Sequence, residues 1–246
     1  PKPIGRFSME YQTIRYCPEG KIATIKLNRP HRMNAVIEEM YRELSDLLKV
    51  LESDPGVRVV VLTGSVLEKN GMEKQAFCAG ADLKKHSTGQ RTREQKKEYI
   101  TLAHETCRKL YEFPKPVIAA INGPAMGAGA EMALCCDFIF MARTATLGFP
   151  ETGLGTCTGG GATFHLSRLL GPARAKELIY TGRIINGETA KDMGLALNAF
   201  PMEKLMTEVL EFAGVLSEKA PISMKHVKKL IHDSQETSLA AILHNE

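Results

Sequence analysis

The sequence has no tryptophan and no uninterrupted apolar run near the ~18 residues that a membrane-spanning helix needs. Its six cysteines show no CxxC spacing, and its seven histidines form no HxxxH pair. These absences argue against a membrane span and a zinc site, and they predict free, mostly buried thiols in a reducing compartment. The 246 residues, 43% of them hydrophobic and 24% charged, are typical of a globular chain with a substantial core.

The charge pattern gives little support to nucleic-acid binding. A formal net charge of +4 suits an anionic small molecule or a nucleic acid, but many proteins that bind neutral ligands carry as much charge. The segment 93–110 includes Lys96 and Lys97, yet glutamates interrupt its basic residues and Tyr99 is its one aromatic residue. A nucleic-acid surface would need a denser basic stripe.

Hydrophobic periodicity predicts strands that alternate with helices. The predicted strands are 9–16, 21–28, 57–64, 117–123, 137–142 and 144–149, and the segment 65–75 is predicted to be a loop. The predicted helices are 37–54, 93–113, a short one over 127–135, and most of the chain after residue 162. This order predicts an α/β core with covered strands, followed by a helical C-terminal part.

Three short segments combine small residues with an acidic one. They are AFCAGADL (76–83), NGPAMGAGAEM (122–132) and GFPETGLGTCTGGG (148–161). Small residues let a ligand approach the main chain closely. For the first segment, the alternative is a tight turn in which Asp82 caps a following helix.

The second segment follows a covered strand and opens a helix, so its unpaired N–H groups would stabilise a phosphate or a developing oxyanion. Its glycines do not match GxGxxG, which argues against a dinucleotide site. Glu131 lies within this apolar stretch, where a carboxylate buried without partners would be costly. It is either an exposed acid favoured by the helix dipole or a group with a chemical task.

Glu151 follows Pro150 directly after a short predicted strand, and taken alone it could be a surface-loop acid. One strand out and one strand back separate Glu131 from Glu151, so both could reach the same edge of a sheet. Two carboxyl groups in one largely apolar pocket would have their pKa values pushed apart. Such a pair suits one group as base and the other as acid.

Together with IKLNRPHRMNAV (25–36), KPVIAAINGPAMGAGAEMALCCDF (115–138) and ARAKELIYTGRIINGETAKDMGL (173–195), these segments follow the order typical of one family. From about residue 10 to 220 the chain resembles the crotonase (enoyl-CoA hydratase/isomerase) superfamily, and within it an enoyl-CoA hydratase. The resemblance implies an α/β, crotonase-like (ClpP/crotonase) spiral of ββα units. It divides the chain into a spiral core with the active site, 1–197, and a C-terminal helical trimerisation region, 198–246.

The resemblance also implies roles for residues in the three segments. The thioester oxygen of an acyl-coenzyme A would bind between the main-chain N–H groups of Ala81 and Ala128. Glu131 would act as the base toward a water molecule and Glu151 as the acid toward the substrate. Gly159 matches the family glycine whose N–H helps to hold that water.

Coenzyme A carries phosphates, so the resemblance implies basic residues at the entrance of its site. The implied coenzyme A-binding residues are Arg32, Ala79, Asp82, Leu83 and Lys84. Coenzyme A is part of the substrate, so we expect no separate cofactor and no metal. His165 stands where relatives often carry another residue, and we expect it to be structural.

The implied activity is the reversible syn addition of water to a trans-2-enoyl-CoA, which gives a 3-hydroxyacyl-CoA and is a step of fatty acid β-oxidation. The alternatives are a branched-chain (methylglutaconyl-type) hydratase, a Δ3,Δ2-enoyl-CoA isomerase, a catalytically idle subunit, and an RNA-binding protein on the same fold. The implied partners are the acyl-CoA thioester and further copies of the chain, in a homotrimer or a hexamer made of two trimers, without a membrane. The expected compartment is the mitochondrial matrix for a eukaryotic protein and the cytoplasm for a bacterial one.

Overall fold

The computed structural model describes residues 10–69, 71–82 and 92–245. The strands are β1 (Ile14–Glu19), β2 (Ile22–Leu27), β3 (Val59–Gly64), β4 (Leu67–Lys69), β5 (Met72–Lys74), β6 (Val117–Ile121), β7 (Ala125–Met126), β8 (Phe138–Ala142), β9 (Thr146–Gly148), β10 (Ile185–Asn186) and β11 (Asn198–Phe200). The α-helices are α1 (Glu38–Ser53), α2 (Arg93–Glu112), α3 (Ala128–Leu134), α4 (Ala162–Leu170), α5 (Pro172–Thr181), α6 (Gly187–Asp192), α7 (Met202–Ser217), α8 (Pro221–Asp233) and α9 (Leu239–Asn245). Short 3-10 helices span Pro30–Arg32 and Glu151–Leu154.

A six-stranded sheet with the order β1-β2-β3-β6-β8-β11 forms the centre of the structure. Its first pair is antiparallel, and the other neighbours are parallel. Strands β3 and β6 are buried along their whole length, which is why they consist of unbroken apolar runs. Helix α1 packs mainly against α2 and also contacts β1, with a buried face of Met40, Leu44, Leu47, Leu48 and Leu51.

A second, three-stranded sheet with the order β10-β9-β7 lies beside the segments that carry the candidate site. Strands β7 and β9 are parallel, and Met126 pairs with Gly148 at their ends. Helix α3 begins two residues after β7, and the 3-10 helix at Glu151 begins three residues after β9. The small sheet therefore brings Glu131 and Glu151 to the same region of the molecule.

Among the C-terminal helices, α7 packs against the main sheet, and α8 and α9 pack against each other. Helix α7 buries Leu205, Val209 and Ala213. Lys228 of α8 forms an ion pair with Asp137 at 2.8 Å, and Asp137 also accepts the main-chain N–H of Val117 at 2.7 Å. Within the described ranges, no helix is both long enough and apolar enough to cross a membrane.

The predicted α/β order is confirmed, with two local corrections. The first strand, predicted over 9–16, spans Ile14–Glu19 and is followed by a turn at Gly20 and Lys21, where the positive φ of 57° at Gly20 supplies the tight reversal. The predicted loop over 65–75 contains the antiparallel hairpin β4–β5. All of β5 is exposed, so this part of the hairpin has no buried face whose alternating pattern could reveal a strand.

Candidate active site

Two main-chain segments run side by side at the site, and their close approach explains their small residues. The N–H of Cys78 donates to Pro124 O at 3.0 Å, and the N–H of Met126 donates to Cys78 O at 2.9 Å. A Cβ atom on Gly129 would lie 2.3 Å from Cys78 O, so no side chain fits there. A Cβ on Gly80 would lie 2.8 Å from Met126 O and 3.9 Å from Ala128 N. The predicted first and second segments therefore meet at their glycines.

Ala81 and Ala128 present main-chain N–H groups at this junction. The neighbouring residues of Ala81 are fixed, since Gly80 O accepts from Val36 N at 2.8 Å and Asp82 N donates to Val36 O at 3.0 Å. Ala128 is the first residue of α3, where a helix N–H has no partner within the helix. Among the described residues, neither N–H has a main-chain acceptor. Both are therefore available to an oxygen atom of a ligand.

Gly127 gives α3 its starting direction and makes room for Glu151. Its φ of 48° is in the left-handed region, and its N–H donates to Gly148 O at 2.9 Å. A Cβ on this residue would lie 2.5 Å from Oε1 of Glu151. The carboxyl group of Glu151 therefore packs directly against the main chain at the N-terminus of α3.

Glu131 is a buried acid in the first turn of α3, with 6% of its surface exposed. Its Oε1 accepts the N–H of Gly159 at 2.7 Å. Burial raises the pKa of its carboxyl group, and the main-chain N–H groups of Gly160 and Gly159 act in the opposite direction. The net result is a base with more affinity for a proton than an exposed glutamate has.

Glu151 has one carboxyl oxygen without a hydrogen-bond partner among the described residues. Its Oε2 is buried and forms no hydrogen bond within the described part of the chain. Burial raises the pKa of this carboxyl group, and the charge of Glu131 raises it further. Because a buried polar atom is normally paired, this oxygen marks a place where a ligand or water would bind.

The arrangement suits acid–base chemistry next to an oxygen-binding site. Two carboxyl groups with raised pKa values can hold and transfer protons nearer to neutral pH than exposed glutamates can. The paired N–H groups can stabilise negative charge on a carbonyl oxygen. In the described ranges, no cluster of three or more His, Cys, Asp or Glu residues could hold a metal ion.

The other predicted site residues have different surroundings. Ala79 N donates to Met33 O at 3.0 Å, which joins the first segment to the 3-10 helix region. Asp82 is buried and forms an ion pair with Arg29 at 3.0 Å. Arg32 is exposed. The predicted residues Leu83 and Lys84, and the helix that Asp82 was expected to cap, lie outside the described residues.

Two buried cysteines next to Glu131 were not predicted as part of the site. A Cβ on Gly160 would lie 2.9 Å from Cys107 Sγ and 2.9 Å from Glu131 Oε2, and Cys135 Sγ donates to Gly160 O at 3.6 Å. Cys107 lies on α2, far from this loop in sequence, so periodicity could indicate its burial but not its neighbours. His165, expected to be structural, contacts Cys135 Sγ at 3.6 Å and the ring of Tyr111.

Comparison with known proteins gives consistent matches over nearly the whole chain. A family model described as enoyl-CoA hydratase/isomerase matches residues 18–246. A crotonyl-CoA hydratase of Syntrophomonas wolfei is 35% identical over 231 residues, which cover 94% of this chain and 85% of that protein. A short-chain-enoyl-CoA hydratase of Clostridium acetobutylicum is 34% identical over 235 residues, with coverages of 96% and 87%.

Solved structures match the fold as well as the sequence. The crystal structure of an enoyl-CoA hydratase from Bacillus anthracis has a TM-score of 0.88 and 36% sequence identity, and the match covers 95% of this chain and 88% of that one. The predicted crotonase-like fold is therefore confirmed. The chain belongs to the enoyl-CoA hydratase/isomerase family of the crotonase superfamily.

Proposed function

We propose that this chain is an enoyl-CoA hydratase, a hydro-lyase that adds water reversibly to a trans-2-enoyl-CoA. The observation that carries the proposal is the pair of glutamates with raised pKa values together with two main-chain N–H groups, of Ala81 and Ala128, that have no main-chain acceptor among the described residues. The relatives named crotonyl-CoA hydratase and short-chain-enoyl-CoA hydratase support the same reaction class. No observation favours the isomerase, branched-chain or RNA-binding alternatives over hydration.

The oxygen-binding step uses the main chain. The thioester oxygen of the substrate would accept hydrogen bonds from Ala81 N–H and Ala128 N–H. These donors polarise the conjugated double bond and stabilise the enolate charge that forms when oxygen adds to carbon 3. One such donor is typically worth about 3–4 kcal/mol when it meets an oxyanion. The alanine side chain at 128 does not remove this donor, because the N–H belongs to the backbone.

The proton transfers use the two glutamates. Glu131 would take a proton from water as the oxygen attacks carbon 3, and Glu151 would give a proton to carbon 2 on the same face. Burial raises the pKa of Glu151, so its carboxyl group binds a proton more readily than an exposed glutamate does. Gly159 N–H would help to orient the reacting groups through its contact with Glu131. The dehydration direction reverses both transfers.

Binding of coenzyme A is assigned to the segments around the oxygen site. The proposed contacts are Ala79 through its main chain, Arg32 and Asp82, together with Leu83 and Lys84, which lie outside the described residues. The carboxylate of Asp82 pairs with Arg29, a cation of the protein itself. This ion pair supports a positioning role for Asp82. Phosphates carry charge that Arg and Lys side chains can pair with, and coenzyme A is substrate rather than cofactor.

Replacing either glutamate by glutamine should remove most of the activity. We expect Glu131→Gln and Glu151→Gln each to lower kcat for crotonyl-CoA hydration by roughly 100-fold or more, because each change removes one proton carrier. The loss of enoyl thioester absorbance measures the rate. Glu203→Gln, which changes an exposed glutamate of α7, is the matched control and should keep the wild-type rate.

Two results would contradict this assignment. Full rate in one of the two variants would exclude the two-carboxylate mechanism. A folded wild-type protein without activity on crotonyl-CoA would exclude straight-chain hydration, and branched enoyl and 3-enoyl thioesters would be tested next. RNA binding with a steep salt dependence in such an inactive protein would favour the non-enzymatic alternative.

Glu131→Gln should also stabilise the fold at neutral pH. The raised pKa means that the folded state binds a proton at Glu131 more readily than the unfolded state does, so stability falls as pH rises between the two pKa values. Urea unfolding should therefore give the variant a higher free energy of unfolding at about pH 7. The difference should shrink at about pH 4, where the wild-type carboxyl group is protonated. A wild-type protein that is the more stable one at pH 7 would contradict the costly burial of this charge.

The proposed oxygen site can be tested by removing one main-chain N–H. Ala128→Pro deletes this donor at the first position of α3, where proline is compatible with helix geometry. We expect kcat to fall about 100- to 1,000-fold with the helix retained. Ala128→Gly keeps the N–H and should stay within a few-fold of wild type. Equal losses in both variants would show that the side chain, not the N–H, matters.

We also propose that the chain assembles into a trimer or a hexamer. In this assembly the spiral core, 1–197, carries the active site, and the C-terminal helical region, 198–246, forms the contacts of the trimer. Supporting this, α8 and α9 expose apolar side chains, including Ile222, Ile231, Leu239 and Leu243. Such a set of apolar side chains is typical of a surface that another chain covers. Light scattering on the purified protein should give a mass about three or six times that of the chain. A monomer at micromolar concentration would contradict the proposed assembly.

A further inference from the structure

The loop that binds Glu131 has little hydrogen bonding of its own. In this article the glycine turn means residues 159–161, and its first residue donates to Glu131 Oε1 at 2.7 Å. Within the described chain, residues 157–160 form no main-chain to main-chain hydrogen bond. Glycine has more backbone freedom than any other residue, so such a turn needs contacts from outside to keep one conformation. The contacts that fix it therefore matter for the position of its N–H groups.

Cys107 of α2 and Glu131 of α3 enclose Gly160. A Cβ on Gly160 would lie 2.8 Å from Glu131 Cβ and 2.9 Å from Cys107 Sγ. The main chain at Gly160 thus fits between the catalytic carboxylate and a buried sulfur atom. Cys107 is 5% exposed, which leaves the turn little room to move toward α2.

Cys135 holds the same residue from another direction. Its Sγ donates to Gly160 O at 3.6 Å, which is within the range of an S–H···O contact. Its main-chain N–H donates to Glu131 O at 3.2 Å, so it ends the helix that carries Glu131. This cysteine therefore connects the helix of the catalytic residue with the turn that binds its side chain.

The surroundings of Cys135 keep its thiol protonated. The neighbouring Cys107 thiol and burial together raise the pKa of Cys135 well above its ordinary value. A protonated thiol can donate to Gly160 O, whereas a thiolate would only accept. The contact to the turn therefore persists throughout the neutral pH range.

We infer that Cys107 and Cys135 are positioning residues, which hold the glycine turn so that its N–H groups meet the carboxylate of Glu131. This inference rests on the proposed base role of Glu131. Neither thiol touches the reacting atoms, and neither takes part in a redox step. Their effect is to keep the proton affinity and the direction of Glu131 suited to proton transfer from water.

The groups that face Glu131 come from several elements. Glu151 faces it from the 3-10 helix, Cys107 from α2 and Cys135 from the C-terminal end of its own helix. His165 of α4 contacts Cys135 Sγ at 3.6 Å, and a Cβ on Gly161 of the glycine turn would lie 3.4 Å from the His165 ring. Burial lowers the pKa of His165 to about 4, with smaller contributions from His232 and Arg168 in the same direction. His165 is therefore neutral at about pH 7 and adds no positive charge beside the glycine turn there.

Removing the thiol contacts should change the pH profile. The N–H groups of the turn lower the pKa of Glu131, so a turn that is no longer held should let this pKa rise. We expect Cys135→Ala and Cys107→Ala to lower kcat/KM for crotonyl-CoA by roughly 10-fold. The acidic limb of kcat/KM should move to higher pH, because Glu131 must lose its proton to act as base. KM should change little.

Two variants separate positioning from general packing. Cys135→Ser keeps a donor for Gly160 O and should restore most of the activity and the wild-type acidic limb. Cys136→Ala changes the adjacent thiol, which donates to Met132 O at 3.4 Å and not to the turn, and should keep the wild-type profile. Cys135→Ala with an unshifted acidic limb, or Cys136→Ala with an equal shift, would overturn the inference.

A direct measurement of the Glu131 pKa keeps this test independent of turnover. Glutamate labelled with carbon-13 at the carboxyl carbon gives an NMR signal for Glu131, identified by its loss in Glu131→Gln. We expect its titration to move to higher pH in Cys135→Ala and to return in Cys135→Ser. If the wild type fails to hydrate crotonyl-CoA but this shift occurs, the proposed function fails and the positioning role stands. An active wild type with no NMR shift would overturn the positioning role alone.

Discussion

The close approach of main chains around α3 is the constraint on which the site depends. A Cβ on Gly129 would lie 2.3 Å from Cys78 O, and one on Gly127 would lie 2.5 Å from Glu151 Oε1. Real Cβ atoms essentially never come this close to another heavy atom, so no side chain fits at Gly129, which faces a main-chain oxygen. At Gly127 the positive φ of 48° favours glycine as well. Because the chains come this close, main-chain N–H groups can reach a ligand oxygen without a side chain in between.

The close packing around α3 also raises the pKa values of the two glutamates, because it buries their carboxyl groups. A carboxylate normally stays in water, and burial makes its charged form costly. The structure compensates Glu131 with the glycine turn, and it leaves Glu151 Oε2 without a partner in the described chain. The two groups therefore differ in surroundings although both have raised pKa values. Burial is the largest cause of the raised pKa in both groups, and the charge of Glu131 adds to the effect at Glu151.

The sequence was sufficient for the order of the longer elements and for the two candidate carboxylates, whereas the short strands β4, β5, β7 and β10 were not predicted. Covered strands such as β3 and β6 can be recognised as apolar runs. Glu131 stands out because an acidic residue within an apolar stretch must either be exposed or have a chemical task. The exposed hairpin β4–β5 was missed because β5 has no buried face to create a pattern. The prediction that one strand out and one strand back bring the two glutamates to one sheet edge was correct only in outline. Glu131 and Glu151 meet because β7 pairs with β9 in a separate small sheet, and pairing between two- and three-residue strands leaves no periodicity to detect.

Sequence patterns could not predict the contacts between distant segments, and the reason is physical. Periodicity reports which face of an element is buried, but it carries no information about which other element covers that face. The stripe of α2 that contains Ala103, Cys107 and Leu110 predicts burial, while the contact of Cys107 with Gly160 depends on how α2 and the glycine turn pack. A proton affinity set by such contacts is thus a property of the tertiary structure. The motif supplies the carboxylate of Glu131, and its burial together with the main-chain N–H groups of Gly160 and Gly159 sets the direction of its pKa shift.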